Sequence, residues 1–186
     1  MNKFIVLEGL DGVGKSTLAR GVAEKIKGQY MSTPGNAFAE IRSVAMEAFG
    51  DDQLGRALFY ASTVSAQGKK ALLTVNNGYT VVMDRYWPST IAYAKARGVN
   101  ADLDILTPEV VPPDLVVLVT LDENIRRSRL INRSMTPEDQ ETLCAEFTMH
   151  VMSELTKRCN IEVDITGLNE QQSIDHVTSV IMKFFA

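Results

Sequence analysis

The sequence has few of the features that mark disulfide-rich, zinc-binding or nucleic-acid-coating proteins. Its only two cysteines among 186 residues, Cys144 and Cys159, lie fifteen positions apart without CxxC or Cys/His spacing. Neither a disulfide framework nor a zinc site is indicated by that spacing. The formal net charge is -4, which argues against a surface that neutralises many nucleic-acid phosphates. Long DNA or RNA is therefore not an expected partner.

Long hydrophobic runs are also absent. The first apolar stretch has four apolar residues before Glu8, and no later run is long enough to cross a bilayer. We therefore expect a cytoplasmic protein that meets no membrane. Hydrophobic residues make up 45% of the chain and charged residues 23%, which is the balance of an ordinary globular protein. The length predicts one domain spanning residues 1–186.

Apolar runs alternate with segments of helical period, a pattern typical of a parallel sheet with crossover helices. Strands are predicted at 3–8, 29–33, 80–84, 115–121 and 161–165. Helices are predicted at 15–27, 37–49, 54–76, 88–97, 124–133, 137–158 and 170–185. Gly28 is expected to cap the end of the first helix, and Thr136 to cap the start of the sixth.

The segment after the first strand matches the phosphate-loop pattern G-x-x-x-x-G-K-[ST] in the strand-to-helix context that the pattern requires. Lys15 is expected to contact the β- and γ-phosphates of a nucleotide, and Ser16 to ligate Mg²⁺. The alternative is a glycine-rich turn that fits the pattern by chance. The predicted nucleotide-binding residues are Gly9, Leu10, Asp11, Gly12, Val13, Gly14, Lys15, Ser16 and Thr17.

A phosphate loop does not by itself distinguish a kinase from a GTPase or a motor ATPase. No Asn-Lys-x-Asp guanine reader is present. The stretch from Asp52 to Gly55 matches a DxxG switch, but no predicted strand precedes it. A motor ATPase is disfavoured because there is no coiled coil or second domain to transmit force.

A second group of polar residues follows the third predicted strand. Asp84 and Arg85 stand at its carboxyl end, where ligands bind in open parallel sheets. Asp84 is a candidate for holding Mg²⁺ through water, and Arg85 for gripping a phosphoryl group with two hydrogen bonds. Taken alone, the same residues fit a solvated turn equally well.

Residues 8–17 and 84–93 together resemble the EGxDGxGKST and DRYxxSxxAY motifs of the thymidylate kinase family. The resemblance implies a three-layer α/β/α P-loop kinase fold with a five-stranded parallel sheet. It also implies transfer of the γ-phosphoryl group of ATP, with Mg²⁺, to a deoxynucleoside monophosphate such as dTMP, and a homodimer packed through helices. Further segments in the family's order are Pro34-Gly35, Ile41-Arg42, Leu58-Phe59, Pro113-Asp114-Leu115 and Leu121-Asp122.

The family resemblance assigns roles to individual residues on the acceptor side. Arg42 and Arg85 would bind the acceptor phosphate, and Asp11 the sugar 3′-hydroxyl. The ring of Phe59 would stack on the base, although an apolar position of a core helix is the competing interpretation. The ring of Tyr93 would lie under the deoxyribose and refuse a 2′-hydroxyl. Ser89, within the second motif, is also counted as substrate-binding.

Four arginines lie among eight residues of the fifth predicted helix, where the family has its lid. A run of this kind is usually a solvated helical face. Because the phosphate loop has no arginine, a lid arginine is the expected donor to the transferring phosphoryl group. Arg129 and Arg133 match the family's RxxxR, and either could instead stack on adenine. The lid, at residues 126–137, is short.

The chain also departs from the family pattern. Ser32 and Thr33 replace the arginine and glutamate of an Arg-Glu-Pro-Gly stretch, and Thr63 replaces the arginine that reads the base edge. We therefore expect the reaction class to be retained and thymine selectivity to be weaker. A nucleoside kinase of the same fold is an alternative, but Ser32 and Thr33 supply no carboxylate base for it. The second alternative is a non-catalytic nucleotide-binding subunit.

Overall fold

The computed structural model describes residues 2–132 and 137–186. In chain order the elements are β1 (Phe4–Glu8), α1 (Lys15–Lys25), β2 (Gln29–Ser32), α2 (Asn36–Phe49), α3 (Gln53–Asn76), β3 (Val81–Asp84), α4 (Trp87–Ala96), a 3-10 helix (Leu103–Glu109), β4 (Leu115–Thr120), α5 (Glu123–Ile131), α6 (Pro137–Glu141), α7 (Ala145–Thr156), β5 (Ile161–Asp164) and α8 (Glu170–Phe184).

The five strands form one parallel sheet in the order β2-β3-β1-β4-β5. The side chains of β1 alternate between two cores: Ile5 and Leu7 pack with α1 and α8, and Phe4 and Val6 pack with α3 and α4. A strand buried on both faces needs apolar residues at every position, and β1 has them up to Glu8. The predicted three-layer α/β/α fold is confirmed.

The carboxyl end of β1 lies at the centre of the sheet, where Leu7 is level with Asp84 of β3 and Glu8 with Leu118 of β4. Loops that leave neighbouring parallel strands meet at this edge. The phosphate loop after β1 and the Arg85 turn after β3 are therefore brought side by side.

The predicted helix at 137–158 was wrong, because the chain forms two helices separated at 142–144. The Thr142 hydroxyl donates to the Asp139 carbonyl at 2.8 Å, while the Thr142 carbonyl accepts hydrogen bonds from Arg126 and from the Thr148 hydroxyl. These long-range and local contacts stabilise a break that helical periodicity does not reveal. Thr136 lies outside the described residues.

The predicted glycine cap of α1 was also wrong. The left-handed residue is Lys27, with φ 54°, and Gly28 donates from its N–H to the Ala23 carbonyl as the following residue of a Schellman motif. Position 28 favours glycine for a different reason, because a Cβ there would lie only 2.8 Å from the Thr80 carbonyl oxygen. The 3-10 helix was not predicted. Within the described residues, no helix is both long and apolar enough to span a membrane.

Candidate active site

The phosphate loop connects β1 to α1, and Gly14 caps α1 in a left-handed conformation with φ 98°, which glycine adopts at little cost. The Lys15 side chain is buried, and its Nζ donates to the Leu10 carbonyl at 2.6 Å. Burial, followed by repulsion from Arg85, lowers the pKa of Lys15 to about 8. The ammonium group is thus held over the loop, where a β- or γ-phosphate would meet it.

The two predicted magnesium ligands are in contact. The Ser16 hydroxyl donates to Asp84 Oδ2, while Asp84 Oδ1 is buried and has no hydrogen-bond partner. A buried carboxylate oxygen without a partner next to a hydroxyl suits a hard cation that keeps several waters and phosphate oxygens as its other ligands. Ser16 and Asp84 are therefore candidates to hold Mg²⁺, and no cluster of three or more His, Cys, Asp or Glu side chains occurs among the described residues.

Arg85 occupies a turn with an unusual backbone. Its φ is 62°, its N–H donates to the Leu7 carbonyl at 3.0 Å, and its carbonyl accepts from the Thr33 hydroxyl at 3.1 Å. Left-handed backbone is disfavoured for a residue with a side chain. These contacts from β1 and from the end of β2 therefore hold Arg85 in a conformation that the local sequence does not favour.

The Arg85 guanidinium links the two predicted motifs. Nη2 donates to Asp11 Oδ1 at 2.6 Å and to the Tyr93 hydroxyl at 3.3 Å, and Nη1 donates to the Ser89 hydroxyl at 2.9 Å. Burial opposes ionisation of Asp11, but the positive charges of Arg85 and Lys15 outweigh it and lower the pKa of Asp11. An ionised carboxylate and a guanidinium are thus available at neutral pH to bind the polar groups of a nucleotide.

Tyr93 closes one side of this cluster. Its hydroxyl donates to Asp11 Oδ2 at 3.0 Å, and its ring packs edge-on against Phe147 of α7 with centroids 5.9 Å apart. The guanidinium groups of Arg85 and Arg97 lie 5.1 and 5.5 Å from the ring centroid. Burial raises the pKa of Tyr93. The ring is therefore fixed by both packing and hydrogen bonding.

The remaining acceptor-side residues lie on α2 and α3. Arg42 donates from Nε to the Tyr60 hydroxyl at 2.8 Å. The Phe59 ring contacts Phe38 and Phe49 of α2, with both centroids 6.5 Å away. Thr63 is fully buried, and its hydroxyl donates to the Tyr60 carbonyl of its own helix at 2.8 Å. Tyr60, which the sequence did not single out, is therefore one partner of Arg42.

Two arginines of α5 lie in different surroundings. Arg129 is exposed and donates from Nη1 to the Val13 carbonyl of the phosphate loop at 3.2 Å. Arg126 is fully buried and donates to the carbonyls of Asp11 at 2.8 Å and Thr142 at 2.6 Å. Its buried role was not predicted, because a polar run gives no sign of which arginine lies inside. Arg133 lies outside the described residues.

Glu8 also had no role assigned from the sequence. It ends β1, is 0% exposed, and accepts hydrogen bonds from the first turn of α4. Two signals were present in the sequence, since Glu8 is a carboxylate that closes an otherwise apolar strand and is also the first residue of the motif at 8–17. Ser89, predicted to bind substrate, is 7% exposed and lies between Glu8 and Arg85.

Known proteins resemble this chain in sequence over most of its length. The family model described as thymidylate kinase matches residues 7–179. A probable thymidylate kinase of Archaeoglobus fulgidus is 33% identical over 139 residues, covering 70% of each chain. A thymidylate kinase of Caldicellulosiruptor saccharolyticus is 31% identical over an alignment of 204 residues, covering 97% of this chain and 98% of the relative.

Two solved structures share the fold. The thymidylate kinase of Ehrlichia chaffeensis has a TM-score of 0.70 and 23% identity, covering 99% of this chain and 98% of its own. That of Candida albicans has a TM-score of 0.70 and 20% identity, covering 98% of this chain and 90% of its own. At these identities, the structures support the three-layer architecture and its topology.

Proposed function

The chain belongs to the thymidylate kinase family of nucleoside monophosphate kinases, and on that premise we propose that it transfers the γ-phosphoryl group of ATP to thymidine monophosphate. The observation that carries the proposal is the hydrogen-bonded group of Arg85, Asp11 and Tyr93 beside the buried Lys15. A phosphate loop alone would serve many reactions. An arginine held next to that loop by the Asp11 carboxylate suits the binding of a second, phosphorylated nucleotide.

In the proposed reaction, an oxygen of the acceptor phosphate attacks the γ-phosphorus of ATP, and the bond to the β-phosphate breaks to release ADP. The acceptor phosphate is already ionised, so no general base is needed and catalysis consists of positioning and charge neutralisation. Lys15 neutralises the donor phosphates, and Arg85 holds the acceptor phosphate. Mg²⁺, held by Ser16 and Asp84, would neutralise charge on the donor phosphates.

Further residues complete the proposal on each side. Arg129, which already contacts the phosphate loop, would turn to the transferring phosphoryl group, and Arg133 is proposed for the same role. On the acceptor side, Arg42 would bind the phosphate and Phe59 would stack on the base. Ser89 would act on the acceptor through Arg85, since its hydroxyl accepts from that guanidinium.

The base-reading position is the least family-like part of the acceptor site. Thr63 points its hydroxyl into its own helix, and a threonine lacks the forked, charged donor of arginine. We propose that thymidine monophosphate is accepted with weaker discrimination against other deoxynucleoside monophosphates than an arginine at this position would give.

A homodimer and a cytoplasmic location are also proposed. α2 and α3 pack against each other and leave apolar side chains exposed, namely Ile41, Val44, Leu54 and Leu58. Exposed apolar surface of this kind suits contact with a second copy of the chain. Sedimentation of the purified protein would test the dimer.

The central experiment couples ADP release to a panel of acceptors: dTMP, dUMP, dCMP, dGMP and thymidine. We expect turnover with dTMP and none with thymidine. Lys15→Ala is the matched control, because it removes one charge from a cradle otherwise built from backbone and should lower turnover by about 10³-fold. ADP release with thymidine but not dTMP would indicate a nucleoside kinase. A folded protein that binds ATP but phosphorylates no monophosphate would indicate a non-catalytic subunit.

A further inference from the structure

The first turn of α4 is capped by a residue from a different element. Tyr86 is the N-cap of α4 and makes no side-chain capping bond. Glu8 Oε1 instead accepts from the N–H of Tyr86 at 2.9 Å and from the N–H of Ser89 at 3.2 Å, while Oε2 accepts from the Ser89 hydroxyl. A carboxylate at a helix N-terminus is favourably placed. Glu8 therefore fixes the start of α4 to β1.

The residue immediately before this cap is Arg85. Glu8 acts on Arg85 through two sets of hydrogen bonds, one to the backbone and one through Ser89. The peptide N–H that follows Arg85 is the Tyr86 donor to Glu8, so the left-handed turn at Arg85 is held on its C-terminal side by that bond. The Ser89 hydroxyl donates a hydrogen bond to Glu8, and its oxygen accepts a hydrogen bond from Arg85 Nη1 at 2.9 Å. The Glu8 carboxylate therefore helps to hold both the backbone and the guanidinium of Arg85 in place.

A carboxylate is a costly choice for this position. Glu8 is fully buried, and burial raises the pKa of Glu8 although the Ser89 hydrogen bond and the charge of Arg85 oppose the rise. Packing alone would be served as well by an apolar residue. The carboxylate supplies two acceptors, which receive backbone and hydroxyl donors, and a charge that complements Arg85.

We propose that Glu8 is the positioning residue for Arg85, holding its turn and its guanidinium in place for the acceptor phosphate. This inference rests on the proposed function, in which Arg85 binds that phosphate. It assigns Glu8 to the acceptor side even though it directly precedes the phosphate loop in sequence. The three hydrogen bonds described for its carboxylate all go to α4, whereas Lys15 of the phosphate loop donates to Leu10.

The test is Glu8→Gln, with Glu24→Gln as the matched control. Glu24 is an exposed residue of α1, so its replacement removes one charge without touching the site. In Glu8→Gln, the amide oxygen can still accept from the two backbone N–H groups. The amide nitrogen, however, donates where an acceptor stood, so the Ser89 proton loses its partner.

We expect the KM and the dissociation constant for dTMP to rise by about 10- to 100-fold in Glu8→Gln, which is the scale for losing a hydrogen bond to a charged group. The dissociation constant for ATP should stay close to that of the wild type and of Glu24→Gln. The thermal melting temperature should fall, because a buried hydrogen bond is lost, and it is measured to show that the variant is folded at the assay temperature. A purely structural role would weaken ATP and dTMP binding together. That equal loss would overturn the inference, and so would wild-type values for both ligands.

Ser89→Ala gives an independent measurement, needed if Glu8→Gln does not fold. It keeps the Ser89 N–H bond to Glu8 but cuts the link to the guanidinium, so it should weaken dTMP binding selectively. Unchanged dTMP binding in Ser89→Ala would contradict the inference. Wild-type protein measured in parallel separates the two claims. If the wild type neither binds nor phosphorylates dTMP, the proposed function fails; if it does both and neither variant is selectively impaired, only the role of Glu8 fails.

Discussion

Tyr93 offers a substitution that separates what its hydroxyl does from what its ring does. The hydroxyl donates to Asp11 Oδ2 at 3.0 Å, and the ring is 9% exposed and packs against Phe147. Tyr93→Phe removes the hydroxyl and keeps the ring. Tyr93→Leu removes both. If the ring excludes a ribose 2′-hydroxyl, only the second change should admit ribonucleotides.

The expected magnitudes follow from these contacts. In Tyr93→Phe, Asp11 loses one hydrogen bond but keeps Arg85, so the loss should be near the lower end of about 1.5–3 kcal/mol for a bond to a charged group. That corresponds to a fall of about tenfold in kcat/KM for dUMP. The preference for dUMP over UMP should be unchanged. In Tyr93→Leu, the preference should fall by about tenfold or more, since the ring volume is vacated.

The assay is coupled ADP release with dUMP and UMP, which share a base and differ only at the 2′ position. Tyr79→Leu is the control, because Tyr79 is 51% exposed and outside the site. In Tyr93→Leu, loss of the ring contact with Phe147 should lower the free energy of unfolding by about 0.5–1.5 kcal/mol, in addition to the loss from the smaller buried area. Thermal melting is therefore used to check that the variant is folded. A wild type that uses UMP as readily as dUMP would refute the reasoning, as would a folded Tyr93→Leu with an unchanged preference.

Other predictions concern the charge of Lys15, the metal ligands and Thr63. Burial, then Arg85, lowers the pKa of Lys15 to about 8, so kcat/KM for ATP should fall as pH rises through 8 and the ammonium is lost; a profile that stays flat to pH 10 would contradict this. Asp84→Asn should raise the Mg²⁺ concentration needed for half-maximal activity, measured by titration, because it removes the charge beside Ser16. Thr63→Val should leave acceptor preference unchanged, because the hydroxyl is bonded within α3; altered dTMP preference would show that Thr63 reads the base.

The sequence alone was sufficient for features that depend on residues close together in the chain. The phosphate loop needs a strand, a glycine-rich turn and a helix within about twenty residues, and each has a local signature. The apolar runs were likewise enough for the central strands β3, β1 and β4, because a strand buried on both faces is apolar along most of its length. The edge strands β2 and β5 are partly exposed and contain polar residues, so their prediction depended on the alternation with helical segments. Asp84 and Arg85 close a recognisable strand, but their place at the end of that strand fits a solvated turn equally well, and the resemblance of residues 84–93 to a family motif was needed to mark them as site residues.

Only the tertiary structure decided which side chains meet. Glu8 and Tyr86 are 78 positions apart, and Arg126 and Asp11 are 115 apart, so no local pattern could pair them. Thr142 breaks the helix predicted at 137–158 because its carbonyl is taken by Arg126, a contact that competes with helical periodicity and wins. The sequence pattern of a segment indicates only whether that segment by itself prefers a helix or a strand. The charge of Arg126 has a local partner in Glu123 of the same helix, whereas the carbonyls of Asp11 and Thr142 that accept its other hydrogen bonds are brought to it by the fold. Such long-range partners are needed because a buried donor left without an acceptor is costly.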